Sequence, residues 1–180
     1  MLKRAKTADP MTAPTTLASN QSGPWLLAQD ATSLFFTTAD GQSVVRLNKD
    51  GQTAPLTVSA ALGAGWGIAV DDTSVYWRDE GSDGQGRVMK VAKAGGGVAQ
   101  QLATTTGEGP RFIAIDQTNL YWTSGSSDSG AIVTSAKDGS KQTTLAVNQA
   151  GPRGLAVDDA NVYWSNFSGA TIMKLPKPHN

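Results

Sequence analysis

The chain has 180 residues, enough for one sizeable core, with Lys plus Arg and Asp plus Glu balanced at 15 each. That balance gives no electrostatic reason to expect nucleic acid or an anionic membrane as partner. The absence of Cys removes a disulfide framework, Cys-ligated zinc and a thiol nucleophile together, and leaves the compartment open.

The opening, MLKRAKTADPMTAP, carries basic residues with no apolar run behind them and does not read as a signal peptide. No apolar stretch approaches the ~20 residues of a spanning helix. Instead Met1–Lys6 (MLKRAK) aligns with Val88–Lys93 (VMKVAK), and Pro14–Ala18 (PTTLA) with Lys141–Ala146 (KQTTLA). Residues 1–22 therefore read as the third and fourth strands, C and D, of a preceding repeat.

From there one pattern returns four times: GPWLLAQDATSLFF from Gly23, AGWGIAVDDTSVYW from Ala64, GPRFIAIDQTNLYW from Gly109 and GPRGLAVDDANVYW from Gly151. Each copy places Ala two residues before Asp (Asp30, Asp71, Asp116, Asp158) and an aromatic pair five and six residues after it. The Asp-to-Asp spacings of 41, 45 and 42 residues mark a repeat architecture. Within a repeat, strand A runs into the Ala-x-Asp element and strand B carries the aromatic pair. In strand B, Leu34 and Phe36, Val75 and Trp77, Leu120 and Trp122, and Val162 and Trp164 share a face, the period of a half-buried strand. Strand C follows at Val44–Leu47, Val88–Val91, Ile132–Ser135 and Ile172–Leu175, each with a Lys two residues beyond: Lys49, Lys93, Lys137 and Lys177. Asp50-Gly51 and Asp138-Gly139 are hairpin signals leading to strand D near Leu56, Leu102 and Leu145. No window spaces apolar residues at three and four, so essentially no helix is expected.

Four-stranded units at this period predict an all-β fold, a β-propeller with one antiparallel blade per unit. The blades are 23–59, 64–103, 109–146 and 151–177, the last lacking its fourth strand. Four blades are few for a ring, and the leading strands C and D suit an incomplete propeller, a piece of a larger one.

At these residues the chain resembles the class B (YWTD) repeats of the low-density lipoprotein receptor, and more loosely NHL repeats, from Gly23 to Lys177. Pro152, Gly154, Ala156, Asp158, Tyr163 and Trp164 match the family pattern, and Asp138-Gly139 matches its hairpin. The aromatic pair continues as Arg78-Asp79, Thr123-Ser124 and Ser165-Asn166, so one copy keeps the final Asp, and the first repeat has Phe35-Phe36. The resemblance implies six blades or a similar number, about 250 residues at this period. It also implies a bacterial relative outside the cytoplasm, and binding rather than catalysis.

One variable position, at the start of strand A, holds Trp25, Trp66, Arg111 and Arg153. In a propeller these side chains converge on the mouth of the central channel, where indoles and guanidiniums stack on a sugar or hold a carboxylate. The competing reading has Trp capping the core and Arg lying over neighbouring backbone. The recurrent Asp residues read as turn caps. Asp79–Gly84 is acidic but lacks the alternate-ligand spacing of a calcium loop, so no metal is expected. The glycine-rich runs open no helix, and the lone His179 sits beside the C-terminus, which leaves no catalytic constellation. The expectation is a non-enzymatic binding or scaffolding propeller with no cofactor, engaging a protein, peptide or glycan, with possible self-association through open blade edges. A propeller lyase or lactonase, and a purely structural arc of a surface protein, are the alternatives.

Overall fold

The computed structural model describes residues 13–40, 42–60, 63, 65–81, 83, 85–105, 112–125 and 128–178. Among them there is no helix. The first sheet comprises β1 (Pro24–Gln29), β2 (Ser33–Thr38), β3 (Ser43–Asn48) and β4 (Leu56–Ser59). The second comprises β5 (Gly65–Val70), β6 (Ser74–Asp79), β7 (Gly86–Ala92) and β8 (Gln100–Thr105). The third comprises β9 (Ile113–Ile115), β10 (Asn119–Gly125), β11 (Gly130–Ala136) and β12 (Thr143–Gln149). The fourth has three strands, β13 (Pro152–Val157), β14 (Asn161–Asn166) and β15 (Thr171–Pro176). Every sheet is an antiparallel meander in chain order, as the tight turns between short strands require. The first strands β1, β5, β9 and β13 lie against one another in succession and form the inner rim.

The core lies between blades, not within them. Phe35, Val44 and Val58 of blade 1 pack on Val75, Trp77 and Val91 of blade 2. Tyr76, Val88 and Ala103 of blade 2 pack on Leu120, Trp122 and Val133 of blade 3. Tyr121 and Ile132 of blade 3 then pack on Val162 and Trp164 of blade 4. The aromatic pair thus splits, its first member facing the next blade and its second the previous one. The strand is consequently buried on both faces in blade 2, where every residue of β6 is inside, and not half-buried as the alternation predicts. A sheet sandwiched between two others has no solvent face, and each large apolar side chain so buried is worth about 1.5–3 kcal/mol.

Register refines strand D. Val45 pairs with Thr57, Met89 with Gln101 and Val133 with Thr144, so Val58, not Leu56, stands in the place of Leu102 and Leu145. Val58 is buried and Leu56 exposed. The chain holds four blades, as its four repeats predict and fewer than the six that the resemblance implies. No strand pairing and no hydrophobic cluster joins blade 4 to blade 1 among the described residues.

Candidate functional site

Antiparallel pairing gives each blade two working ends. At one, the start of strand A lies beside the end of strand B and the B–C loop. At the other, the A–B turn lies beside the end of strand C. About 16 Å of strand separates them.

The turn end carries a repeated construction. One carboxylate oxygen of Asp71 accepts the backbone N–H groups of Thr73 and Ser74 at 2.9 and 2.8 Å, closing the A–B turn. Its other oxygen accepts the Tyr76 hydroxyl at 3.0 Å and the Lys137 ammonium at 2.9 Å, and Lys137 belongs to the next blade. Asp116 repeats the set with Tyr121 at 2.9 Å and Lys177 at 2.6 Å. Asp30 binds Lys93 at 2.8 Å, with Phe35 where the Tyr would be. Burial would raise the carboxyls of Asp71 and Asp116, but the Lys, the two amides and the Tyr outweigh it and hold both well below the ordinary value of 3.8. Burial, then the adjacent carboxylate, pushes the Tyr76 and Tyr121 hydroxyls up to about 12. A cleft of about 840 Å³ opens here between Asp71, Asp116, Asp158 and Lys137. Carboxylates committed to turn amides, Tyr and Lys hold blades together. Sequence reasoning found the Asp and the Lys as separate recurrences; that opposite charges recur at one period was the signal that they meet.

The loop end holds the predicted ring positions. Trp25 and Trp66, on adjacent blades, meet edge to face with ring centroids 5.4 Å apart. Trp25 is 57% exposed and Trp66 half-buried. The Trp66 indole N–H donates to Glu80 at 3.2 Å, and the Arg78 guanidinium stands 5.9 Å from the Trp66 ring while pairing with Glu80 at 3.7 Å. In the sequence Arg78 stands out only as a departure from the YWTD pattern and Glu80 only as part of the acidic Asp79–Gly84 loop; nothing there joins either to Trp66. Arg153, on blade 4, lies 3.8 Å over the exposed ring of Phe167 from its own B–C loop. That is the stacked geometry of a cation on an aromatic face. Arg111 lies outside the described residues, as does His179. The structure thus joins the two Trp residues and places Arg153 in a separate cluster. In the acidic loop, Asp79 accepts the Gly63 and Gly81 amides at 2.7 and 2.9 Å, and Asp83 pairs with Arg87. Among the described residues no three His, Asp or Glu side chains are grouped to hold a metal.

No protein-family model matches the chain. No curated protein matches it either. Solved structures do. A chain of the nidogen/laminin complex superposes with a TM-score of 0.75 at 17% identity, covering 93% of this chain and 65% of that one. A catalytically inactive histidine-to-alanine variant of virginiamycin B lyase from Staphylococcus aureus, in complex with quinupristin, gives 0.66 at 14% identity over 89% and 54%. The computationally designed Ika4 protein gives 0.66 at 15% identity over 89% of this chain and 95% of that one. The chain folds as a β-propeller. It spans just under two thirds of the chain from the nidogen/laminin complex and about half of the lyase, and at these identities the likeness is one of fold alone.

Proposed function

We propose that the chain is a non-enzymatic binding propeller, acting outside the cytoplasm, that takes a protein, peptide or glycan partner on its loop end. The observation that carries this reading is the exposed Trp25 propped against Trp66. An indole left largely in water while its neighbour is fixed by Glu80 and Arg78 is a preorganised flat apolar surface, suited to a sugar ring or an apolar peptide side chain. Arg153 over Phe167 supplies a second exposed stack with a planar cation.

A lyase-type reading draws on the likeness to virginiamycin B lyase, a protein inactivated by loss of one histidine. The only histidine of this chain is His179, and the acids at its loop end are engaged by backbone amides, Trp66 and Arg groups. A purely structural arc would need no exposed aromatic pair. Screening the immobilised protein against glycan and peptide arrays tests the proposal. Trp25→Ala is expected to weaken the bound partner at least about tenfold with the thermal midpoint unchanged, the usual cost of removing an aromatic anchor. Binding indifferent to both Trp25→Ala and Trp66→Ala, or turnover of quinupristin, would overturn it.

A further inference from the structure

Three inter-blade joints of this chain share one set of parts, and its two outer faces hold the complementary halves of a fourth. In each joint a blade presents its first aromatic, its Asp and an apolar residue of strand C, and the next blade answers with a Lys and an apolar residue of strand A. On blade 4 these halves are bare. Ile172 is 79% exposed, whereas Val44, Val88 and Ile132 at the same place in blades 1–3 are 0% exposed. Asp158 binds the Tyr163 hydroxyl at 2.7 Å and its turn amides, but no cation reaches it among the described residues. Among the described residues the outer edge of β15 carries no fourth strand.

Blade 1 holds the answering parts. Lys49, the counterpart of Lys93, Lys137 and Lys177, meets no carboxylate among the described residues and donates at 2.6 Å to the backbone carbonyl of Asp30 in its own blade. Leu27 is 59% exposed, while its counterparts Ile68, Ile113 and Leu155 join the inter-blade clusters. Residues 13–19 already lie where a preceding blade's strand D would. Leu17 and Ala18 cover Phe36, Val45 and Leu47, and Leu17 comes against Gly51 as Leu102 comes against Gly139. The missing strand of one end is thus carried at the other, yet within one molecule the two do not pair.

We propose that a second copy of this chain docks head to tail, its residues 13–19 adding to β15 and its Lys49 reaching Asp158. Ile172 and Tyr163 of one copy then bury against Leu27 of the other. By the register of the three complete blades, Thr16 of one copy stands opposite Met173 of its partner, as Thr57, Gln101 and Thr144 stand opposite Val45, Met89 and Val133. Each copy offers both halves, so in the dimer proposed here both joints form, related by a twofold axis. Charge complementarity selects this docking over edge-to-edge pairing, which would set like charges together.

Sedimentation of the 180-residue chain across a range of concentrations is the first test, with twice the chain mass expected. Asp158→Lys and Lys49→Asp are each expected to weaken self-association at least tenfold. Mixed in equal amounts, the two variants should recover it, because the mixed dimer has one native and one swapped ion pair. That recovery also shows that both variants fold. Thr16→Cys with Met173→Cys should oxidise to a covalent dimer. A monomer at every concentration, failure of the mixture to associate, or a disulfide formed within one chain would each overturn the proposal.

Discussion

Asp71 assigns its two oxygens to different tasks, one local and one between blades. Replacing it by Asn keeps an acceptor for the Thr73 and Ser74 amides but turns an NH₂ toward Lys137 and Tyr76. The side chain is about four-fifths buried, so the charge-assisted bonds are little screened, and Asp71→Asn is expected to cost about 1–3 kcal/mol in chemical denaturation. Asp116→Asn should cost a similar amount, and Asp158→Asn less than either at concentrations where the chain is monomeric, because among the described residues no Lys of its own chain reaches Asp158. Equal effects at all three positions would show that the turn, not the joint, holds the stability. The Asp residues were legible in sequence as turn caps. Their inter-blade half was not, because each Lys partner lies 61–66 residues away and only packed blades bring it near.

At the scale of the strand and its turns, local signals were read correctly where the physics is local. The Asp138-Gly139 hairpin is one: Gly139 sits at φ +87°, a conformation that an L side chain adopts only with strain. A second constraint there is tertiary. A Cβ on Gly139 would lie 2.8 Å from the backbone carbonyl oxygen of Leu102 in the preceding blade. Backbone cannot swing aside as a side chain can, so Gly139→Ala is expected to destabilise by roughly 2–4 kcal/mol, more than the ~1 kcal/mol of conformational strain alone. At Gly95 the nearest atom is the tip of the Leu56 side chain at 3.2 Å, which can rotate away. Gly95→Ala should therefore cost less, and thermal melts of the pair separate the two contributions. Strand B shows the limit of pattern reading: alternation announced one buried face, and stacking of whole blades buried the second.

For the molecule as a whole, the joints set the response to pH. The carboxyls of Asp30, Asp71 and Asp116 are depressed in the folded state, so the unfolded chain takes up protons first as pH falls. Their stabilisation is complete well above the ordinary 3.8 and is lost progressively below it. Tyr76 and Tyr121 act with the opposite sign. Their hydroxyls ordinarily ionise at 10.0 and are raised to about 12, so their contribution is present below 10.0 and lost as pH climbs toward 12. Denaturant midpoints should accordingly form a plateau from about pH 5 to pH 9, falling on both sides. A midpoint that declines between pH 7 and pH 5 would mean that another group governs the joint.

The sequence by itself determined the blade. Ala-x-Asp and the aromatic pair repeat at 41 to 45 residues, Asp-Gly marks two of the hairpins between strands C and D, and each acts through turn chemistry or strand alternation within a few residues of itself. Strand order, the absence of helix and the burial of Trp77, Trp122 and Trp164 follow from that. Tertiary structure alone decided what crosses from blade to blade: the split of each aromatic pair between two joints, the choice of Val58 over Leu56, the Lys–Asp bridges, and Trp66 as the prop of Trp25. These depend on the angle and register at which separate sheets stack. That geometry comes from the summed packing of many side chains distant in the chain, and no short window of residues contains it.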